Sequence, residues 1–395
     1  MGKEIYEIES IEGISKELGK SVYYETERGK IVCLDLSDTR IKDLQLVSKF
    51  KDLRKLSLYN CKFIETLEPL KLLENLTELD LSYTRINDLT PIKHLKNLRR
   101  LSLRGCINID SIEELSYLSR LEELILDKTY VKDITPLGNL KNLRVLSLWY
   151  VRTVDNFQVL SKLKKLESLN LGKTQFHDCK LLTRLRSLRR LILSAADIYE
   201  CEALSSLRVL EVLHLDFTHV SNISFVKNMK SLVELNLNTT KVHDPEPIGH
   251  LKRLEVLDIG NTEIDCIKFL RGLKLLRVLN LSNTRVSTLC EIEGLLNLEL
   301  LDISNTLIND ISVLTRMKNL KVLDMSGCFV HEISAVEELK SLERLYLDGT
   351  LVRDLGPLIR LAARYRKLKL VSVRECDVPV EQIAELRRYG VNVLT

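Results

Sequence analysis

The sequence predicts an α/β solenoid, in which each short repeat adds one strand to a parallel sheet and one helical turn to the opposite side. The first observation is a period: Leu or Ile begins a unit sixteen times between residues 31 and 368, mostly 22 residues apart. The second is the order within a unit, where leucines recur at positions 1, 4 and 6. The third is composition, because 15 Gly, 7 Pro and 5% aromatic residues leave little material for linkers or turn-rich sandwiches.

Each position of the unit has a physical role, which is clearest in LTELDLSYTRINDLTPIKHLKN at residues 76–97. Leu79 and Leu81, at positions 4 and 6, alternate with polar residues and should point inward from a short strand. Position 9 is Thr or Cys in fourteen units, a small side chain that can bond to the backbone of a neighbouring coil. Thr90 is an N-cap type and Pro91 is tolerated at a first helical position, so the turn opposite the sheet should begin there.

The repeat pattern divides the chain into an N-terminal cap (residues 1–30), a repeat array (31–378) and a C-terminal cap (379–395). Caps are expected because terminal coils would otherwise expose their cores. The N-terminal cap contains an amphipathic segment, IYEIESIEGISKELG (5–19), followed by the strand-like VYYET. The C-terminal sequence PVEQIAELRRYGVNVLT predicts one helix, a C-cap at Gly390 and a last strand.

These units resemble leucine-rich repeats, in particular the 22-residue class of protein phosphatase 1 regulators of the Sds22 kind and of bacterial internalins. Thr or Cys replaces the usual Asn at position 9, as in LNLSNTRVSTL (279–289). That variant is similar to leucine-rich-repeat proteins of trypanosomes, including the expression-site-associated group that resembles adenylate cyclase regulators. The resemblance implies a horseshoe with a concave parallel sheet of about 16 strands and short helical or 3₁₀ turns on its convex side. It also implies an intracellular interaction scaffold.

Positions 3, 5, 7 and 8 alternate with the strand leucines and form the candidate binding surface. In the first half of the array this surface is basic and aromatic, the composition of interface hot spots, and in the second half it is acidic. Two alternatives remain open: Trp149 and Tyr150 pack against each other, and the acidic positions are solvated surface. The predicted partner-binding residues are Tyr59, Tyr83, Arg104, Lys128, Trp149, Tyr150, Arg190, Asp216, Asp258, Asp302, Asp324 and Asp348.

The net charge of +4 hides a division along the chain. Residues 84–209 hold 22 basic and 14 acidic side chains, a net charge of +8, whereas residues 210–355 hold 16 and 21, a net charge of −5. Two regions of opposite sign favour an oriented protein partner, steered by electrostatic attraction. The basic half leaves RNA or ribonucleoprotein binding as an alternative.

The chemistry-bearing residues predict neither an enzyme nor a cofactor or metal protein. Nine cysteines without a C-x-x-C pair argue against a disulfide framework and a zinc module. Cys179, Cys201, Cys266 and Cys290 are expected to be buried. P-loop and G-x-S-x-G motifs are also missing from the sequence. The first ten residues lack an apolar signal region, so we expect a reducing, intracellular location, in the cytoplasm or alternatively the nucleus.

Together these observations predict a non-enzymatic protein-interaction scaffold that binds its partner on the concave face. We expect a monomer or a subunit of a hetero-complex, without insertion into a membrane. The alternatives are a regulatory subunit of an enzyme such as protein phosphatase 1 or adenylate cyclase, and RNA binding through residues 84–209.

Overall fold

The computed structural model describes residues 11–16 and 18–395. They fall into two compact units, one ending at Asp197 and the other beginning at Ile198. Residues 11–16 are helical, and residues 5–10 and 17 of the predicted amphipathic segment lie outside the described residues.

The first unit is a stack of strand-and-turn coils. Strand β1 pairs antiparallel with β2, and β2 to β9 pair in parallel in the order of the sequence. Short 3₁₀ turns at Val47–Lys49, Glu68–Leu72, Thr90–His94, Glu113–Tyr117, Thr135–Asn139, Phe157–Lys162 and Cys179–Leu182 separate the strands. The strands are β1 (Tyr23–Glu27), β2 (Lys30–Asp35), β3 (Lys55–Ser57), β4 (Glu78–Asp80), β5 (Arg100–Ser102), β6 (Glu123–Ile125), β7 (Val145–Ser147), β8 (Ser168–Asn170) and β9 (Arg190–Ile192).

The second unit repeats this arrangement with parallel strands β10 to β18. Its 3₁₀ turns are Glu202–Ser206, Ser224–Asn228, Glu246–His250, Lys268–Gly272, Cys290–Ile292, Ser312–Arg316 and Ser334–Glu338. Two α-helices follow, α1 (Gly356–Tyr365) and α2 (Val380–Arg388). The strands are β10 (Val212–His214), β11 (Glu234–Asn236), β12 (Val256–Asp258), β13 (Val278–Asn280), β14 (Leu300–Asp302), β15 (Val322–Asp324), β16 (Arg344–Tyr346), β17 (Leu370–Ser372) and β18 (Asn392–Leu394).

The predicted α/β leucine-rich-repeat solenoid is confirmed. Each of the sixteen repeats contributes one strand, β2 to β17. The last step of the array is 26 residues long because α1, with ten residues, replaces a shorter 3₁₀ turn. The helix and strand predicted around Gly390 are present as α2 and β18, and Gly390 has the positive φ of 81° expected at a helix end.

Strand register places identical repeat positions side by side, and this register builds the core. Leu79 of β4 lies opposite Leu101 of β5, and the two side chains are 3% and 1% exposed. Burying one such leucine contributes roughly 1.5–3 kcal/mol, so the stack of leucines dominates the stability of each unit. Side chains at positions 3 and 5 lie on the opposite face of the sheet, where most of them are exposed or half-buried.

Two hydrogen-bonded turns explain the recurring Asp residues of the repeat. At position 5, the carboxylate or amide oxygen accepts a hydrogen bond from the backbone N–H two residues later, as Asp80 does from Ser82 at 2.8 Å. At position 13, Asp88 accepts from the backbone N–H of Thr90 at 2.8 Å, where the 3₁₀ turn starts. The predicted N-cap at position 15 is therefore wrong, because Thr90 receives the cap from position 13.

Position 9 also differs in part from the prediction. The Thr84 hydroxyl donates to the carbonyl of Leu81 in its own coil at 2.7 Å, whereas the Cys106 thiol donates to the same carbonyl from the following coil at 3.0 Å. At position 9, the cysteines therefore bond to the backbone of a neighbouring coil, and Thr84 contacts the next coil through the Cys106 thiol at 3.4 Å. The expected burial is confirmed for Cys179 and Cys201, but Cys266 is half-buried and Cys290 is exposed.

Position 8 takes a left-handed backbone conformation in every repeat. Only three of these residues are glycine, and the bulkier ones include Tyr83, Tyr150 and Thr239, with φ between 55° and 62°. Left-handed backbone is unfavourable for residues with a Cβ, so the tight exit from each strand is maintained by the stacked coils.

Candidate functional site

The sheet face of the first unit carries a row of alternating charges at position 3. Lys55 Nζ lies 3.3 Å from Glu78, and Arg100 lies 3.6 Å from Glu78 and 3.5 Å from Glu123. A groove of about 320 Å³ runs along this row, with Ser57 among its lining residues. Because cations and carboxylates alternate coil by coil, this row neutralises its own charge.

Arg104, one of the predicted binding residues, forms an ion pair with a buried acid. Its Nε and Nη2 donate to Asp127 Oδ2 at 3.1 and 2.6 Å, and the Asp127 side chain is only 3% exposed. The second oxygen, Oδ1, accepts from the Ser147 hydroxyl and from the backbone N–H of Trp149 at 3.0 Å. Asp127 therefore neutralises Arg104 and fixes the backbone at Trp149.

The Trp149 ring is half-buried and is framed by cations of the two neighbouring coils. Lys128 Nζ lies 5.1 Å and Lys173 Nζ 5.4 Å from a Trp149 ring centroid, within cation–π range. Gly172 makes room for the indole, since a Cβ there would lie 3.1 Å from Trp149 Cδ1.

Tyr150 extends this cluster toward the turn. Its ring centroid lies 5.7 Å from that of Trp149 at a tilt of 38°, and the Arg152 guanidinium lies 4.3 Å from the Tyr150 centroid. The two aromatic rings therefore contact each other, as one alternative holds, yet Tyr150 stays 39% exposed. We call Lys128, Trp149, Tyr150, Arg152 and Lys173 the tryptophan patch.

The remaining predicted residues of the first unit lie apart from the tryptophan patch. Tyr59 and Tyr83 form an edge-to-face pair, with centroids 5.5 Å apart, at the other end of the charged row. Tyr83 leans over the next coil, where a Cβ on Gly105 would lie 2.5 Å from its ring. Arg190 is exposed on β9.

The acidic positions of the second unit are partly engaged in turns. Asp258, Asp302 and Asp324 each accept a hydrogen bond from the backbone N–H two residues later, at 2.9 Å. Asp348 accepts from the Ser372 hydroxyl at 2.5 Å and from a backbone N–H. All four carboxyl groups are half-buried, as is that of Asp216. These acids therefore build the strand exits of their own or the following coil.

Neighbouring carboxylates in this row interact unfavourably. Asp302 and Asp324 occupy the same register position of β14 and β15. Burial, with a smaller contribution from the charges of Asp302 and Asp348, raises the pKa of Asp324 above its ordinary value. Its ionised form is thus less favourable here than in water.

Sequence reasoning missed Arg152 of the tryptophan patch and Asp127, which fixes the backbone beneath it. Arg152 stands at position 10, beyond the positions counted as exposed. Asp127 stands at position 7 like Arg104 and Trp149, so equal positions on successive coils were the available signal for its pairing with Arg104.

The described part of the chain offers few reactive or metal-binding groups besides these charges and aromatic rings. Burial raises the pKa of the Cys61, Cys106 and Cys328 thiols, which keeps them neutral and unreactive. Among the described residues, no three His, Cys, Asp or Glu side chains converge as metal ligands. Within the same residues, no helix is both long and apolar enough to cross a membrane.

The coils resemble repeats of known proteins in sequence and in structure. Residues 30–72 and 74–117 match the family described as Leucine Rich repeats (2 copies). An internalin of Listeria monocytogenes is similar over 76% of this chain and 88% of its own, with 27% identity and a TM-score of 0.70. No curated protein matches the sequence.

Two further solved structures show the same fold at lower identity. A leucine-rich-repeat protein of Leptospira interrogans is similar over 92% of this chain and 95% of its own, with 24% identity and a TM-score of 0.79. The ectodomain of the Arabidopsis thaliana receptor kinase GASSHO1/SCHENGEN3, solved in complex with CASPARIAN STRIP INTEGRITY FACTOR 2, is 19% identical with a TM-score of 0.73. That match covers 94% of this chain and 51% of the receptor ectodomain.

Proposed function

Because this chain is a leucine-rich repeat protein, we propose that it is an interaction scaffold and that its tryptophan patch is the contact surface for a partner protein. Leucine-rich repeats commonly serve as rigid supports whose exposed side chains bind other proteins. The partner, an intracellular location and the absence of catalytic activity stay predictions from the sequence. The same holds for the two caps at residues 1–30 and 379–395.

The observation that carries the proposal is the environment of Trp149. Trp and Tyr supply large contact areas at low cost in side-chain entropy, and they dominate interface hot spots. Here Asp127 fixes the backbone of the only Trp of the chain and Gly172 leaves room for its indole, while part of Trp149 and much of Tyr150 remain accessible. A rigid, accessible aromatic pair loses little freedom when a partner binds.

Quantitative affinity purification tests the proposal, with the wild-type chain and a Trp149→Ala/Tyr150→Asn variant compared in extracts of the source organism. Asn is chosen at position 150 because it tolerates the left-handed backbone of that residue. Tyr117→Ala is the matched control, since Tyr117 is a 59% exposed aromatic residue on a 3₁₀ turn of the same unit. We expect a stoichiometric protein to be lost with the double variant and kept with the control. Retention of every captured protein by the double variant would refute the proposal.

A further inference from the structure

We infer that the tryptophan patch recognises an acidic segment of the partner, with carboxylates bound by the ammonium groups of Lys128 and Lys173 on either side of Trp149 in the coil order. This inference rests on the proposed function and adds the chemistry of the partner. It depends on three features: the pairing of charges around the patch, the geometry of its cations, and its length.

Three arginines on the coils around the tryptophan patch are already neutralised. Arg100 interacts with Glu78 and Glu123, Arg104 with Asp127, and Arg144 with Glu167 at 2.8 Å. The protein thus supplies a carboxylate to each of these arginines from an adjoining coil.

The cations of the tryptophan patch lack such partners. Lys128, Arg152 and Lys173 are exposed, and none of them forms an ion pair with any residue in the described part of the chain. The acid nearest to Lys128 in sequence, Asp127, is buried and its two oxygens are occupied by Arg104, Ser147 and Trp149. The patch therefore carries three exposed cations without an ion-pair partner among the described residues, and their charge is available to an acidic ligand.

The geometry suits carboxylates presented on an extended peptide. Lys128 and Lys173 belong to the coils before and after Trp149, and both ammonium groups face its ring. Coils repeat at about 4.8 Å, so the three coils of the patch span about 10 Å. Alternate side chains of an extended peptide lie about 7 Å apart, which allows two carboxylates to reach the cations while the backbone crosses the aromatic rings.

The short span of the tryptophan patch favours a peptide ligand over RNA. Nucleic acids gain affinity by neutralising many phosphates along a continuous basic track. Here the unpaired cations of the patch span only three coils, because Arg104 is paired on one side and the next coil presents Ser194 and Ala195 at positions 7 and 8. Arg190 of that next coil is exposed but stands at position 3. The net charge of +8 over residues 84–209 is thus not concentrated at positions 7 and 8 of the coils.

Fluorescence of Trp149, the only Trp of the chain, provides a direct test on the full-length protein. The probes are a short peptide of alternating Glu and Gly, the same peptide with Gln in place of Glu, and an oligouridylate of the same length. We expect a saturable change with the Glu peptide that weakens as ionic strength rises, because exposed charge pairs are screened by salt. We expect no saturable change with the Gln peptide, and weaker binding of the oligouridylate.

A charge-matched pair of variants tests whether the Glu peptide binds at the tryptophan patch. Lys128→Gln/Lys173→Gln removes the two positive charges and leaves a shorter, neutral polar side chain at each position. The control Lys164→Gln/Lys180→Gln removes the same charge from exposed lysines outside the tryptophan patch. We expect the first variant to bind the Glu peptide about tenfold more weakly, which corresponds to the loss of two exposed ion pairs. The control should bind like the wild type, and circular dichroism should show equal folding of both variants.

The inference is overturned by equal binding of the Glu and Gln peptides, by unchanged affinity of the Lys128→Gln/Lys173→Gln variant, by tighter binding of the oligouridylate, or by no response at millimolar Glu peptide. Affinity purification with the same variant separates this failure from failure of the proposed function. If Lys128→Gln/Lys173→Gln captures the partner as well as the wild type while Trp149→Ala/Tyr150→Asn loses it, the patch is an interface but not an acid-binding one. If both variants capture everything, the proposed function fails as well.

Discussion

Replacing Arg104 should destabilise the first unit because it leaves the carboxylate of Asp127 buried without its cation. The Asp127 side chain is 3% exposed, and two hydrogen bonds from Arg104 end on its Oδ2. Removing one partner of a fully buried ion pair costs about 3–5 kcal/mol. Because Arg104 is itself 49% exposed, water screens part of this interaction, and we expect Arg104→Ala to lower the free energy of unfolding by about 2 kcal/mol.

A second substitution distinguishes this mechanism from simple loss of contacts. Asp127→Asn removes the charge but retains an oxygen that can accept from Ser147 and the Trp149 N–H. The double variant Arg104→Ala/Asp127→Asn should therefore be more stable than Arg104→Ala alone by about 1 kcal/mol, because no buried charge remains.

Urea unfolding measures both effects, with Trp149 fluorescence reporting on the first unit and circular dichroism on the whole chain. A variant of the exposed Arg190, Arg190→Ala, is the control and should change the free energy of unfolding by less than about 0.5 kcal/mol. Additive losses in the double variant would refute the proposed mechanism, as would an Arg104→Ala variant as stable as the control.

Three further predictions concern backbone strain, charge repulsion and acid stability. Thr239→Asn should raise the free energy of unfolding by about 1 kcal/mol in thermal or urea unfolding, since Asn tolerates the left-handed backbone better than a β-branched residue, and Asn261→Thr should lower it similarly. Asp324→Asn should stabilise the second unit at neutral pH, because the folded-state pKa of Asp324 is raised and its ionisation therefore weakens the fold as pH rises through that pKa. The stability gained by the variant should disappear in acid, where Asp324 is protonated, and a gain that does not change with pH would contradict the prediction. Turn hydrogen bonds lower the folded-state pKa of four position-13 carboxyls, those of Asp88, Asp133, Asp310 and Asp354, so the stability that they contribute is present above the unfolded value of 3.8 and is lost as pH falls through the folded values. The wild type should therefore melt at a higher temperature than a variant with all four replaced by Asn at neutral pH, and this difference should shrink in acid, whereas a difference that does not change with pH would contradict the prediction.

Much of the candidate surface could be located from the sequence, but the bonding partners of its charged residues could not. Alternation in a strand placed Trp149 and Tyr150 on accessible positions, and the structure keeps both at least partly accessible. The same alternation assigned a binding role to Arg104 and Asp324, although Arg104 is committed to Asp127 and Asp324 to a turn. A single repeat cannot show these bonds, because the partner of Arg104 lies one coil away.

The strain at position 8 was also invisible in the sequence. Gly occupies this position at Gly105, Gly327 and Gly349, and elsewhere residues as large as Tyr150 take the same conformation. The mixture of side chains hides the shared backbone conformation, which is imposed by the hydrogen bonds and packing of adjacent coils.

The sequence by itself determined the repeat, the strand positions and the buried leucines, since these depend on local alternation and a period that recurs sixteen times. Only the tertiary structure decided which charges are neutralised and which remain available. The register of neighbouring coils brings Asp127 to Arg104 and leaves Lys128 and Lys173 beside Trp149 without a carboxylate. Charge pairing depends on distances between residues more than twenty positions apart in the chain, and such distances are set by stacking of the coils.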